Sequence, residues 1–241
     1  MKPYTYVMSD IHGQYDAFKE MLKKIKFKDD DTLYIIGDIF DRGPHPVKIL
    51  MDIMNSDNMI LLCGNHEHMA VSCLNYLVGF DAQTLKEYKH QLNDIFYEWK
   101  LNGGDTTLNE LLKYDDKTLK QIVDYLKKLR LYKEIKVADK TFILVHAGLG
   151  NFEENKALKE YNIDELLWKR TDYNKQYFKD KYIITGHTPT RFIEDNDKPD
   201  YIYMKNNNIN IDCCCAGAVR LGCLRLDDMK EYYVDIDKDI K

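Results

Sequence analysis

Five times along this chain a short apolar run stops at a cluster of glycine with Asp, His or Asn. Thr5–Met8 gives way to Asp10-Ile11-His12-Gly13, and Thr32–Ile36 to Gly37-Asp38-Ile39-Phe40-Asp41-Arg42-Gly43. Met59–Leu62 runs into Gly64-Asn65-His66-Glu67, Phe142–Val145 into His146-Ala147-Gly148, and Tyr182–Thr185 into Gly186-His187. Apolar runs of this length bounded by glycine read as buried strands. Between the first three lie helical patterns: Tyr15–Ile25, with Phe18, Met21, Leu22 and Ile25 on one face, then Pro46–Met54 and Glu67–Leu77. Strand–helix–strand repetition predicts parallel strands joined by right-handed crossovers, an α/β fold. The carboxyl ends of such strands share one edge of the sheet, which is where open α/β sheets place their ligands.

The remainder of the chain limits the alternatives. From residue 79 to 131 no strand pattern occurs, while Leu108, Leu111, Leu112, Leu119, Ile122, Val123 and Leu126 recur at helical spacing. Strands resume at Glu134–Val137 and Thr141–Val145, so 79–131 is expected to be a helical insertion or cap within a single domain spanning 1–241. A helical stretch is expected around Asp164–Trp168. Strands are expected at Tyr201–Tyr203, Asn208–Asp212, Leu221–Leu226 and Glu231–Val234. A net charge of −5 without a Lys/Arg block argues against nucleic acid or an anionic membrane as partner. Asp10 interrupts the start too early for a secretory leader, and no apolar run is long enough to span a bilayer. Of six cysteines, Cys213, Cys214 and Cys215 are consecutive. That arrangement suits reduced thiols filling a sheet in a cytoplasmic protein better than a disulfide framework, and with Cys223 it fits no standard zinc spacing.

The polar residues at the strand ends have a common chemistry. Read as an extended segment, Asp10 and His12 project to one side, as two ligands of one cation should. Asp38 has two oxygens and can bridge two cations. Asn65, His146 and His187 add a carbonyl oxygen and two imidazoles. A set of six O/N donors without thiolate suits Mn²⁺, Fe²⁺ or Zn²⁺. Two such ions ~3.5–4 Å apart polarise a phosphoryl group and acidify a bridging water.

With these motifs the sequence resembles the metallophosphoesterases, and within them the phosphoprotein phosphatases of bacteria and phages. The resemblance rests on Asp10-x-His12-Gly13, Gly37-Asp38-x-x-Asp41-Arg42-Gly43, Gly64-Asn65-His66-Glu67, His146-Ala147-Gly148 and Gly186-His187, in family order. Asn102-Gly103-Gly104, Leu167-Trp168-Lys169-Arg170 and Ile211-Asp212 match more weakly; the three cysteines after Asp212 replace a glycine-containing turn. The resemblance implies the calcineurin-like fold, with central mixed β-sheets flanked by helices and a helical insertion. It implies one metal ion on Asp10, His12 and Asp38 and a second on Asp38, Asn65, His146 and His187, with Mn²⁺ expected ahead of Fe or Zn. It further implies His66 as general acid, oriented by Asp41, with Arg42, Asn65 and Arg170 on the substrate phosphate. His45, His68 and His90 match no family role. The activity implied is hydrolysis of phosphoserine and phosphothreonine in proteins, or of a small phosphoester, by direct attack of a metal-bound hydroxide. The alternative is symmetrical hydrolysis of diadenosine tetraphosphate; Asp41 and Glu67 weigh toward the phosphatase.

Overall fold

The computed structural model describes residues 2–79 and 89–240. The first three strands, β1 (Thr5–Met8), β2 (Thr32–Ile35) and β3 (Met59–Leu61), are parallel, joined through helices α1 (Tyr15–Lys24) and α2 (Pro46–Met54). Pro46 opens α2 because its fixed φ suits the first helical position and its missing N–H leaves no donor unpaired. After β3 come α3 (Asn65–Gly79), α4 (Lys89–Leu101), α5 (Asp105–Leu111) and α6 (Asp116–Leu126). Residues 80–88 of the expected insertion lie outside the described residues; those described from 89 to 131 contain no strand.

Next follow β4 (Tyr132–Val137), β5 (Lys140–Val145), α7 (Ile163–Leu167), β6 (Lys181–Thr185), β7 (Tyr203–Lys205) and β8 (Asn208–Asn210). The chain closes with β9 (Arg220–Arg225), β10 (Lys230–Asp235) and α8 (Ile236–Asp239). The strands form two five-stranded mixed sheets, ordered β10-β9-β1-β2-β3 and β4-β5-β6-β8-β7. Alternation along the strands decides how they stack. Val7 and Ile36 from one sheet meet Phe142, Leu144, Ile184 and Ile209 from the other. Tyr6, Met8, Leu33 and Ile35 point the opposite way, against α1, α2 and the helices after β3. Ile143, Val145 and Ile183 cover the outer face of the second sheet. Strands buried on both faces are continuous apolar runs, which is how β1, β2 and β5 read in the sequence.

One strand is displaced from its expected place. Tyr201–Tyr203 becomes Tyr203–Lys205, because the Ile202 N–H donates to the Tyr233 hydroxyl (3.1 Å) instead of joining a ladder. Asn206 and Asn207, both at positive φ, then form the two-residue turn that fixes the β7–β8 register. The cysteines are all buried and free: Cys213 packs between the sheets, Cys215 and Cys223 against the helices. No described helix is long and apolar enough to cross a membrane.

Candidate active site

Because β1, β2 and β3 are parallel to one another, and β5 is parallel to β6, their carboxyl ends face one edge of the paired sheets. Hydrogen bonds stitch the loops together there. Asp10 N–H donates to Gly37 O (3.1 Å), His12 N–H to Asp38 O (2.9 Å) and Gly186 N–H to His146 O (2.8 Å). The loops are not extended. Asp10 (φ 53°), His12 (44°), Asp38 (56°), Asp41 (69°), Arg42 (68°) and His187 (63°) all sit in the left-handed region. The expectation that Asp10 and His12 line one side of an extended segment is therefore corrected: a left-handed turn brings them together. Each such residue costs about 1–3 kcal/mol and persists only where its surroundings fix it, as they do here. Gly37 and Gly64 permit the approach, since a Cβ on Gly37 would lie 2.5 Å from Gly64 Cα.

Asp38, 2% exposed, is at the centre. Its Oδ2 lies 3.3 Å from His146 Nε2, 3.6 Å from His12 Nε2 and 3.8 Å from His66 Nε2. Asn65 Oδ1 is 2.8 Å from His146 Nε2 and 2.9 Å from His187 Nδ1. His146 Nδ1 is held by Ile36 O (2.9 Å) and His12 Nδ1 by Phe40 O (2.7 Å), which turns both Nε2 atoms inward. As a metal ligand the His146 ring would be neutral, and its Nε2 would present a lone pair together with Asn65 Oδ1 and the Asp38 carboxylate; that donor set fits a divalent ion. The groups His12–Asp38–His66 and Asp38–His146–His187 each bring three ligand atoms within 4.8 Å of one another. Asp10 sits further out, its Oδ1 4.0 Å from His12 Nε2, with its carboxylate bonded by the Ser9 hydroxyl and the His187 N–H.

The charges agree with a cation-seeking pocket. Burial acts to lower the His146 pKa, yet Asp38 and Asp10 outweigh it and push it up to about 10. Burial disfavours the Asp38 carboxylate, but His146 and His66 hold its pKa well below the usual range. Burial, and then the neighbouring His146, bring His187 down to about 3. Burial raises Asp10 to about 6.

Beside this centre stands a buried histidine–aspartate pair. His66 Nδ1 lies 2.6 Å from Asp41 Oδ2, and both side chains are almost wholly buried. Burial works against a charged His66, but Asp38 and Asp41 outweigh it and raise its pKa. Arg42 reaches both rings, its Nη1 lying 3.2 Å from His12 Nε2 and its Nη2 3.1 Å from His66 Nε2. Arg170 is exposed and makes no hydrogen bond or ion pair among the described residues, so the structure leaves it outside this cluster.

Three residues here escaped the sequence reading as site builders. Asp41, with no exposed surface, also accepts from Trp99 Nε1 (2.9 Å, to Oδ2) and from the Thr107 hydroxyl (2.5 Å, to Oδ1). The same hydroxyl accepts the Asp41 N–H (2.8 Å). Trp99 is on α4 and Thr107 on α5, so the helical segment reaches behind the acid pair. The Asn102-Gly103-Gly104 motif is the signal that pointed there: Arg42 N–H bonds Gly103 O (3.2 Å), and a Cβ on Gly104 would lie 2.6 Å from the Trp99 ring. Glu67 is the third. Its carboxylate accepts from the N–H groups of Asp38 (2.7 Å), Ile39 (2.9 Å), Phe40 (3.2 Å) and Gly64 (2.9 Å), locking the loop that carries Asp38. His45 and His68 are half-buried and join no cluster of the site, His45 Nδ1 being 3.8 Å from Glu110; the His90 side chain lies outside those described.

Comparison with known proteins places this geometry. Residues 4–217 match the model of the calcineurin-like phosphoesterase family. The chain is 23% identical to the asymmetrical bis(5'-nucleosyl)-tetraphosphatase PrpE of Anoxybacillus flavithermus, covering 95% of this chain and 92% of that one. It is 29% identical to the symmetrical bis(5'-nucleosyl)-tetraphosphatase of Wigglesworthia glossinidia brevipalpis, covering 83% of this chain but 64% of that relative's length. The fold is similar to a solved protein serine/threonine phosphatase of Saccharomyces cerevisiae, with TM-score 0.55, 16% identity, and 98% and 80% of the two chains covered. With the family match running through all five strand-end motifs, the chain belongs to the calcineurin-like phosphoesterases, hydrolases that work with divalent metal ions.

Proposed function

We propose that this chain hydrolyses the phosphoanhydride chain of dinucleoside tetraphosphates. The observation that carries the reading is the similarity to the asymmetrical tetraphosphatase of Anoxybacillus flavithermus, which extends over nearly the full length of both chains. In this reading Asp10, His12 and Asp38 hold one divalent ion, and Asp38, Asn65, His146 and His187 hold the other. When bound, the two ions supply Lewis acidity to the phosphoryl oxygens and a nucleophilic water at neutral pH.

The protein's own groups do the rest. The Arg42 guanidinium, a planar fork with parallel donors, grips two phosphate oxygens and sets the scissile phosphorus against the metal pair. Arg170 carries a further positive charge on the substrate side. His66 holds a proton at Nε2 and delivers it to the departing oxygen, while Asp41 receives the Nδ1–H and stabilises the charged ring. The N-terminus of α3, which begins at Asn65, adds partial positive charge where phosphate binds. Glu67 keeps Asp38 in its turn through its four backbone bonds.

A second reading has its own support. A nucleotide phosphate is a weak base and leaves readily, whereas the alkoxide of serine or threonine is a strong base and needs a proton. The buried Asp41–His66 pair, 2.6 Å apart, is the equipment for such a leaving group. Phosphoserine and phosphothreonine in proteins are thus the second substrate class. Turnover of diadenosine tetraphosphate and of a phosphoserine peptide by the Mn²⁺-loaded protein separates the two. The first reading requires faster hydrolysis of the dinucleotide, with ATP and AMP marking asymmetrical cleavage and ADP alone symmetrical cleavage. Faster release of phosphate from the peptide overturns it.

A further inference from the structure

One residue beyond His187 lies a cavity of about 330 Å³ lined by Arg170, Asp172, Thr188, Phe192 and Glu194 among others. Its connection to the site is direct in the chain. Thr188 follows His187, and Trp168, two residues before Arg170, sets its ring 6.3 Å from that of His187. The walls are built rather than loose. Lys205 Nζ donates to Asn174 Oδ1 (2.6 Å) on one wall and to the Asp195 carboxylate on the other. The Tyr203 hydroxyl also donates to Asp195 (2.7 Å), and Arg191 bonds Asp200 through two nitrogens at 2.7 Å, closing the loop that follows Phe192. The Phe192 N–H donates to Pro189 O (2.8 Å), and the residue is 69% exposed, so that its aromatic face is open beside the cavity.

The lining of the cavity carries both charges. Arg170, without an ion-pair partner among the described residues, is its cation. The further groups are acidic: Asp172 and Glu194 are exposed, while the charge of Asp195 is met by Lys205. Arg170 can accept an anionic chain, while the carboxylates disfavour a further phosphate in the cavity. What such a lining favours beyond the anion is a neutral aromatic group that carries hydroxyls. Carboxylates accept from ribose hydroxyls, and every nucleobase has a face that stacks on an aromatic ring.

We infer that this cavity is the nucleoside subsite of the substrate, with the base on Phe192, the ribose against Asp172 or Glu194, and the phosphate chain leading past Arg170 to Asp38. The inference rests on the dinucleoside tetraphosphate reading, and the test separates the two. Calorimetric titration of the Mn²⁺-loaded protein with ADP and with inorganic pyrophosphate compares the same phosphate chain with and without a nucleoside. The wild type is expected to bind ADP about ten-fold more tightly than pyrophosphate. Phe192→Ala should remove most of that preference while binding pyrophosphate as before, with an unchanged melting temperature, since Phe192 is exposed. Glu194→Gln should reduce the preference by a smaller factor. Equal binding of the two ligands by the wild type, or an ADP preference that survives Phe192→Ala, overturns the inference whether or not diadenosine tetraphosphate is hydrolysed. An ADP preference lost in Phe192→Ala, in a protein that fails to cleave diadenosine tetraphosphate, upholds the subsite and refutes the hydrolase reading alone. If Phe192→Ala instead weakens only a phosphoserine peptide, the cavity belongs to a peptide and the inference falls.

Discussion

The half of the site proposed to hold metal and the half proposed to donate a proton are built in different ways. Asp10, His12, Asp38, Asn65, His146 and His187 come from the first residues after β1, β2, β3, β5 and β6, so the strand ends of the two stacked sheets deliver them to one edge. The donor half depends on distant chain. Asp41 is a few residues past β2, but its carboxylate is held by Trp99 and Thr107, some sixty positions later on α4 and α5. One half is positioned by sheet topology, the other by how a helical segment packs. Damage to the first should therefore abolish metal binding, and damage to the second should spare it.

The largest effect is expected at the shared ligand. Asp38→Asn should lose metal and reduce turnover by ~10³-fold or more, because one change affects both proposed ion sites. Metal analysis of the purified variant checks this, and a full complement of metal would break the division between the halves. Next comes His66→Asn, expected to slow hydrolysis of a phosphoserine peptide by ~10²–10⁴-fold with metal content unchanged. With p-nitrophenyl phosphate, whose leaving group needs little protonation, the same variant should lose far less. Equal losses on both substrates would remove His66 from the proton-donor role.

Trp99→Phe sharpens the comparison further. It keeps most of the buried ring but deletes the donor to Asp41, and a loss of ~10-fold is expected. The loss should again be selective for poor leaving groups and leave metal bound. A loss that is the same for every substrate would make Trp99 a packing residue only.

How much of this could be read from the sequence follows the same division. The strand-end residues were legible because each strand is a local apolar run and its polar residues follow within a few positions. The doubly buried β5, Thr141–Val145 in the sequence, needed no partner to be recognised. The left-handed turns at Asp10 and His12 were not legible: their φ is imposed by Gly37 O and Asp38 O across the sheet, not by the residues themselves. Trp99 was hidden because an indole at helical spacing reads as core, and it is core, with no exposed surface; only its Nε1–H serves the site. Glu67 stood inside a motif, yet its four backbone bonds exist only once the loop after β2 folds over it. The two-residue displacement of β7 was not legible, because it depends on the Ile202 N–H meeting the Tyr233 hydroxyl, a residue thirty-one positions later on β10.

The smallest effect lies outside both halves. Glu165, on α7, accepts from the Asn162 N–H (2.9 Å), Lys156 Nζ (2.9 Å) and Asn151 Nδ2 (3.0 Å), and these bonds bring its pKa down to about 2. A depressed folded-state pKa contributes stability above the ordinary carboxylate range, and that contribution is lost as pH falls toward 2. Glu165→Gln should therefore lower the melting temperature slightly near neutral pH, with the difference from wild type shrinking between pH 5 and 3. Melting curves across that range check it; a difference that grows on acidification would contradict the sign. Turnover per folded molecule should not change.

The central claim is that this metal-and-acid site acts on a dinucleoside tetraphosphate. Side-by-side initial rates of the Mn²⁺-loaded wild type on diadenosine tetraphosphate and on a phosphoserine peptide, with and without a chelator, test it most directly. The account predicts faster cleavage of the dinucleotide and loss of both activities on chelation. Faster dephosphorylation of the peptide, or dinucleotide cleavage that persists after the metal is stripped, would contradict it.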